Sequence, residues 1–204
     1  MPKQTFFNLP EKKRQTLLNA AEKEFSRVPL YEASVANIIK ESGIPRGSFY
    51  QYFDDKEDLY YYLLNRYTVK MKELLLQSLQ KQDGDLLGAF GDFFAKVIYQ
   101  QTNERNVKFL KNAFLHVAQK MELSFSRIFL DKSHPRFEDI LDYVDSSRLN
   151  IRDEKDLHHI IQIITAVIFR NFVEKYANNL TNEEAAARFH KDLQLLKDGL
   201  YKEK

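Results

Sequence analysis

The sequence predicts an all-α protein, in which an N-terminal three-helix domain with a helix-turn-helix precedes a larger helical domain. Two observations predict this class. Apolar residues recur at spacings of three and four along nearly the whole chain, which is typical of amphipathic helices. Only six Gly and five Pro occur in 204 residues, which does not suit the many turns of a sandwich or a barrel. The predicted domains are 1–53 and 54–204.

Helix breakers and caps delimit the N-terminal helices. The first helix must end before Pro29, because Pro removes a backbone donor and clashes with the preceding turn. Ser34 is predicted to cap the second helix, and Gly43 is predicted to end it. A third short helix covers about 46–53, and Asp55 opens a long fourth one.

The remaining chain is predicted to hold further helices at 85–103, 106–120, 122–131, 135–147, 154–177 and 182–202. Residues 157–173 are apolar around most of their helix, and such a helix needs partners on two sides. One side can pack on its own domain and the other on a second subunit, together with the last helix. The residues predicted to form this homodimer interface are Ile160, Ile164, Val167, Ile168, Phe189, Leu193 and Leu196.

Composition excludes several classes of function. The chain has no Cys, which excludes disulfides and thiolate sites. The net charge is only +2, but residues 1–50 carry eight Lys or Arg against five Glu, which favours an anion-binding module there. The N-terminus lacks the apolar region of a secretory signal, and the longest uncharged run, 157–169, is too short to span a bilayer. We therefore expect a cytoplasmic protein with no membrane partner.

The stretch "SGIPRGSFYQYFDDKEDL", residues 42–59, mixes aromatic side chains with an Arg, a hydroxyl and an amide. Phe49 and Phe53 lie four residues apart on one helical face and are predicted to be core. Tyr50 is rotated by about 100° from Phe49 and should face outward. The predicted outer face consists of Arg46, Gly47, Ser48, Tyr50 and Gln51. Such a face suits the major groove of DNA, because Arg can bridge a guanine edge and Gln an adenine edge. A solvated helix face is the plain alternative.

Residues 12–64 resemble the DNA-binding domain of the TetR/AcrR family of one-component transcriptional regulators. The resemblance rests on Phe25, on Ser34-Val35 and above all on "GIPRGSFYQYFDDKEDL". The later part of the chain matches that family only in its helical architecture. Pro29 and Ile39 stand where the family usually has Gly and Ala.

The resemblance implies individual roles at DNA. Phosphate contacts are implied for Ser34, Tyr50 and Lys56, and the dipole of its helix would assist Ser34. Base-edge contacts are implied for Arg46 and Ser48. The predicted DNA-binding set is completed by Pro45, Gly47, Gln51 and Tyr52. The predicted partner is a double-stranded DNA operator.

Aromatic side chains crowd the segment 85–130 at helical spacings, as in the lining of a ligand cavity or in plain core. The residues predicted to line a pocket are Phe90, Phe93, Phe94, Phe109, Asn112, Phe114, His116, Phe125 and Phe129. An aromatic lining favours a small, lipophilic effector, because such ligands gain mainly from apolar burial.

Together these patterns predict a homodimeric repressor that leaves a near-palindromic operator when a small lipophilic effector binds. The alternative is a helical dimeric interaction module with a vestigial DNA-binding head, which would show no sequence preference. No cofactor or metal is predicted, since no two of the five His are spaced i, i+4. No nucleophile elbow, phosphate loop or HExxH motif occurs in the sequence, so an enzyme is not expected.

Overall fold

The computed structural model describes residues 2–100, 103–130 and 142–199, and the side chains of residues 118–130 lie outside that description. The described residues form helices joined by short connections, and no strand occurs among them. The predicted all-α class is therefore confirmed. The chain divides into two compact units, the first within 1–67 and 101–117 and the second within 68–100 and 118–204. The predicted domains, 1–53 and 54–204, divide the chain at one point in the sequence, whereas the two units group residues that are close in space. The predicted domain boundary stays a prediction.

The helices, numbered in chain order, are α1 Gln4–Phe7, α2 Glu11–Arg27, α3 Val35–Ser42, α4 Arg46–Tyr52, α5 Lys56–Lys81, α6 Leu86–Tyr99, α7 Glu104–Leu130, α8 Glu154–Ala177 and α9 Asn182–Asp198. Short 3-10 turns lie at Leu30–Glu32 and Ser146–Arg148.

Predicted and observed helices agree best where a cap or a breaker marks the end. Gly43 ends α3 in the left-handed region, with φ of 68°, where a side chain would be strained. Asp55 caps α5, because its Oδ1 accepts the backbone N–H of Asp58 at 2.8 Å. α8 occupies the predicted range 154–177.

Two parts of the predicted helix pattern are wrong. The helix predicted at 135–147 is replaced over its described end by a turn and a 3-10 segment, while residues 131–141 lie outside the described part. The Asp145 carboxylate accepts the backbone N–H of Ser147 at 3.1 Å, a local bond that competes with a helix. The predicted break between residues 120 and 122 is a kink inside α7 at Val117, where φ is −135° and ψ is 21°.

An aromatic core holds the first unit together. Phe25 of α2 packs edge-on against Tyr60 of α5, with ring centroids 4.9 Å apart. Phe49 and Phe53 are both 0% exposed, which confirms their prediction as core. Because α2 packs on α3 and α3 on α4, this core fixes where α4 presents its other face.

The second unit packs α6 against α9 and α9 against α8. The Phe94 ring lies 4.7 Å from that of Phe172. A charged cluster joins the end of α5 to α6 through Asp92. Burial alone raises the pKa of Asp92, but hydrogen bonds from Lys81, Lys96 and Ser78 outweigh it and bring that pKa down to about 2.

Candidate nucleic-acid interface

The predicted helix-turn-helix is formed by α3, the residues 43–45 and α4. Ile38 of α3 and Phe49 of α4 are both 0% exposed, so the two helices meet through their apolar faces. Pro45 precedes the first residue of α4, where its missing N–H costs no helical bond. The inner face of α4 is therefore fully used in packing.

The opposite face of α4 is open to solvent. Arg46 and Gln51 are exposed, and Tyr50 is 47% exposed. Ser48 and Tyr52 are half-buried at the edges of this face. In the described part of the chain no ion pair engages the Arg46 guanidinium, so its donors are available to an external acceptor. The structure thus brings the predicted reading residues together on one surface.

Gly47 lies inside α4 with open space around it. A Cβ added there would meet no atom within 4 Å. Gly weakens a helix relative to Ala, and packing within the described chain gives no reason for its presence. The position therefore leaves room for close approach by something outside the chain.

Ser34 occupies the N-cap position of α3, but its side chain makes no capping hydrogen bond. The predicted N-cap position of Ser34 is therefore confirmed, although the hydrogen bond that a Ser side chain usually makes there is not formed. The backbone N–H of Ser34 instead donates to Glu24 Oε1 at 2.9 Å, so a carboxylate from α2 serves this helix end. The Ser34 hydroxyl remains free of the capping role and available to a phosphate.

The sequence does not predict a structural role for Glu24, because charged residues on helices are usually solvated. It is only 5% exposed. Its carboxylate accepts from Arg27 Nη2 at 2.8 Å and from Asn37 Nδ2 at 3.1 Å, besides Ser34. Burial raises the pKa of Glu24, but these hydrogen bonds outweigh it and hold that pKa below the usual value of 4.5.

We expect Glu24→Gln to lower the melting temperature at pH 7, because the amide cannot accept from all three donors. The folded pKa of Glu24 is depressed, so its contribution is complete above 4.5 and is lost as the pH falls through the lower folded pKa. The melting temperatures of wild type and variant should therefore converge on acidification, measured by circular dichroism from pH 7 to pH 3. Asp92, whose pKa is also lowered, is present in both proteins, so its titration does not contribute to the difference between their melting temperatures. Parallel curves would contradict the role assigned to Glu24.

Lys56 lies at the start of α5, and its ammonium donates to the carbonyls of Tyr31 and Ala33, each at 3.0 Å. It therefore ties α5 to the segment that leads into α3. An ammonium has three donors, so one remains available for a phosphate. The phosphate contact implied for Lys56 stays a proposal.

The helix α1 was missed by the sequence, since one helical turn is too short to show a period. Phe6 of α1 is 0% exposed and lies 4.9 Å from the Phe53 ring and 5.2 Å from the Tyr62 ring. The aromatic pair at residues 6 and 7 was the available signal. Residues 3–7 therefore belong to the surroundings of α4.

The predicted pocket residues fall into two groups. Phe90, Phe93 and Phe94 are each 1% exposed in the core of the second unit. Four of the others lie in the first unit: Phe109 and Phe114 are buried, Asn112 donates to the Phe25 carbonyl at 2.9 Å, and His116 is exposed beside Tyr31. Phe125 and Phe129 lie on α7, where the side chains are outside the described part of the structure. A pocket formed by all nine stays a prediction.

Four residues of the predicted dimer interface lie in the core of the second unit, namely Ile164, Ile168, Phe189 and Leu193, which are 0–6% exposed. Ile160, Val167 and Leu196 are half-buried at its surface. Ile163 is 51% exposed and was absent from the predicted set. Ile160, Ile163 and Leu196 line a groove of about 570 Å³ on this unit.

A helix-turn-helix whose second helix presents a polar and aromatic face is the architecture of major-groove reading proteins. Residues 17–63 match the family described as bacterial regulatory proteins, tetR family, and residues 85–200 match the tetracyclin repressor-like C-terminal domain. The second match covers more than half of the chain, and the chain belongs to the TetR family.

Individual relatives agree with this assignment. The HTH-type transcriptional regulator AcrR of Shigella flexneri is 28% identical over 103 residues, which are 50% of this chain and 48% of AcrR. The uncharacterized HTH-type transcriptional regulator YxaF of Bacillus subtilis (strain 168) is 31% identical over 96 residues, or 47% of this chain and 50% of YxaF. The chain thus spans about half the length of the curated relatives it matches. The matched families and relatives are regulators and not enzymes.

A solved structure shows the same fold. The putative TetR-family transcriptional regulator from Syntrophomonas wolfei str. Goettingen superposes with a TM-score of 0.64 at 20% identity, over 94% of this chain and 97% of that chain. None of the helices in the described ranges combines the length and the apolar character that a membrane crossing requires.

Proposed function

We propose that the chain is a homodimeric transcriptional repressor that acts in the cytoplasm, binds a near-palindromic DNA operator through α4 and is released by a small, largely apolar effector. The observation that carries the proposal is the division of α4 into two faces. Phe49 is fully buried, while Arg46 and Gln51 are exposed with the open position of Gly47 beside them. A solvated helix needs no Gly at that place.

The proposed contacts follow from the chemistry of this face. Arg46 would bridge a guanine edge and Gln51 an adenine edge, while Tyr50 and the hydroxyl of Ser34 would meet phosphates. A two-fold dimer places two α4 helices in successive major grooves, about one turn of DNA apart. The preferred duplex should therefore contain two inverted half-sites at that spacing.

Selection of bound duplexes from a random-sequence pool tests this proposal. A recovered inverted repeat with half-sites about 10 base pairs apart would support it. Binding without sequence preference would support the alternative, an interaction module with a vestigial DNA-binding head. The recovered sequence, called the selected duplex below, serves as the probe for the following experiments.

We expect Gly47→Ala to change stability and DNA binding in opposite directions. The free protein should be more stable by about 0.5 kcal/mol, because Ala favours the helix and its methyl group meets open space. Affinity for the selected duplex should fall about tenfold, since the methyl group holds the DNA away from neighbouring hydrogen bonds. Thermal melting and fluorescence anisotropy measure the two effects. An unchanged affinity would show that the DNA does not approach Gly47 closely.

The homodimer is supported by an apolar strip on α8, formed by Ile160, Ile163 and Val167 at spacings of three and four residues. The half-buried Leu196 of α9 lines the same groove as Ile160 and Ile163. A second copy of the chain would cover this strip by two-fold symmetry, so that the same residues meet from both sides.

The aromatic residues of the segment 85–130 support a largely apolar effector, because an aromatic lining favours apolar ligands. An effector releases DNA only if it binds better to a state of the dimer with unsuitable α4 spacing. A panel of hydrophobic drugs, fatty-acyl compounds, sugars and nucleotides, screened for release of the selected duplex, tests its class. Release by polar metabolites alone would contradict an apolar effector.

A further inference from the structure

The carbonyl end of α4 carries groups that the helix itself does not satisfy. α4 has only seven residues, and helix ends leave their last carbonyls without helical partners. The Phe53 N–H makes the final bond of this helix, to the Phe49 carbonyl at 3.0 Å. The carbonyls of Tyr50, Gln51 and Tyr52 come after it and need donors from elsewhere in the chain.

The N-terminal segment supplies a donor to each of the three. The Lys3 ammonium donates to the Tyr50 carbonyl at 3.0 Å, and the Lys3 backbone N–H donates to the Tyr52 carbonyl at 2.9 Å. Between them, the Thr5 hydroxyl donates to the Gln51 carbonyl. We call Lys3 and Thr5 the N-terminal clamp. It satisfies three consecutive carbonyls of α4 with two residues.

The clamp is itself anchored. Phe6 follows it directly and is fully buried against Phe53 and Tyr62. The Lys3 ammonium also lies 2.6 Å from Asp54 Oδ1, and it lowers the pKa of that carboxyl by hydrogen bonding and charge. A cation at the C-terminus of a helix is favourable, because the carbonyl end of the helix dipole is negative.

We propose that the N-terminal clamp positions α4 for sequence-specific DNA binding and determines its specificity without contacting the DNA. Tyr50 and Gln51 link the clamp to the DNA-binding face. Their side chains lie on the face proposed to read DNA, and their backbone carbonyls accept hydrogen bonds from the clamp. Loss of a clamp bond therefore shifts the residues that form the reading surface. The inference rests on the proposed function of α4.

Thr5→Val tests the hydroxyl, because it removes the donor while keeping the shape and the charge. Affinity for the selected duplex should fall about fivefold, the equivalent of one base-edge hydrogen bond lost when Gln51 is displaced, and affinity for a random duplex should stay the same. Thr5→Ser retains the hydroxyl and should restore the wild-type ratio. Amide exchange should become faster in 46–53 of the Val variant and stay unchanged in α2. All measurements are made at a temperature where each variant is fully folded by circular dichroism.

Lys3→Met separates positioning from a direct phosphate contact. A positioning role predicts weaker binding to the selected duplex with an unchanged dependence on salt concentration. A direct phosphate contact would reduce the salt slope by about one for each site and weaken random DNA equally, which would overturn the inference.

The remaining outcomes are also decisive. Wild-type affinity ratios in both Thr5→Val and Lys3→Met, together with lower melting temperatures, would reduce the clamp to a stabilising role and overturn the inference alone. Failure of the wild type to select any sequence would instead overturn the proposed function, and the inference with it.

Discussion

Arg46→Ala should weaken binding to the selected duplex by about 1–3 kcal/mol for each half-site, the cost of one lost bidentate base contact. Arg46 is the first residue of α4, is exposed and has no ion pair in the described part of the chain to restrain it. In a symmetric dimer the loss occurs twice, so the total effect is about 2–6 kcal/mol. Fluorescence anisotropy with the selected duplex measures it at a fixed salt concentration.

The pattern of loss identifies the kind of contact. Affinity for random DNA should change little, and selection with the variant should recover duplexes with relaxed preference at one base pair of each half-site. Lys155→Ala removes the same charge from the exposed start of α8 and should leave both affinities unchanged. Equal losses on selected and random DNA would show that Arg46 contacts a phosphate.

A pair of substitutions on α8 should give opposite results although the residues are neighbours. Ile164 is 1% exposed, and Glu at this position buries an unpaired charge in the core of the second unit. The expected cost exceeds about 4 kcal/mol, which is comparable with the whole stability of many domains. We therefore expect Ile164→Glu to unfold the second unit, seen as lost helical circular dichroism.

Ile163→Glu should leave the protein folded and separate the dimer. Ile163 is 51% exposed, so the single chain tolerates a charge there, whereas a dimer would bury two like charges in its interface. Sedimentation at micromolar concentration should show a dimeric wild type and a monomeric, fully helical variant. Ile163→Val keeps an apolar side chain and serves as the matched control. A monomeric wild type would contradict the homodimer, and a dimeric Ile163→Glu would place the interface elsewhere.

The hydrogen bonds of Glu24 at the N-terminal end of α3 could not be predicted from the sequence. Glu24 looks like any solvated helix residue in the sequence, yet it is buried and serves Ser34 and Asn37 from another helix. A buried carboxylate is compatible with the core only when donors surround it. Those donors lie ten and thirteen residues away, a separation that no helical period reports.

The exposure of the apolar residues beside the groove on α8 could not be predicted from the sequence either. Periodicity identified 157–173 as apolar on most sides of its helix. It could not predict which of Ile163 and Ile164 is exposed, although their exposed fractions are 51% and 1%. Only the packing of α8 within the second unit decides which of two adjacent apolar residues is covered. Four of the residues predicted for the interface are core for this reason.

By itself, the sequence determined the all-α class, the helix-turn-helix and the two faces of α4. These features are local, because a period of 3.6 residues and a left-handed Gly43 are set by neighbouring residues. Only the tertiary structure decided the role of Glu24, the two carbonyls held by Lys56 and the N-terminal clamp on α4. Each of these joins groups distant in sequence, and their hydrogen bonds depend on how the helices pack.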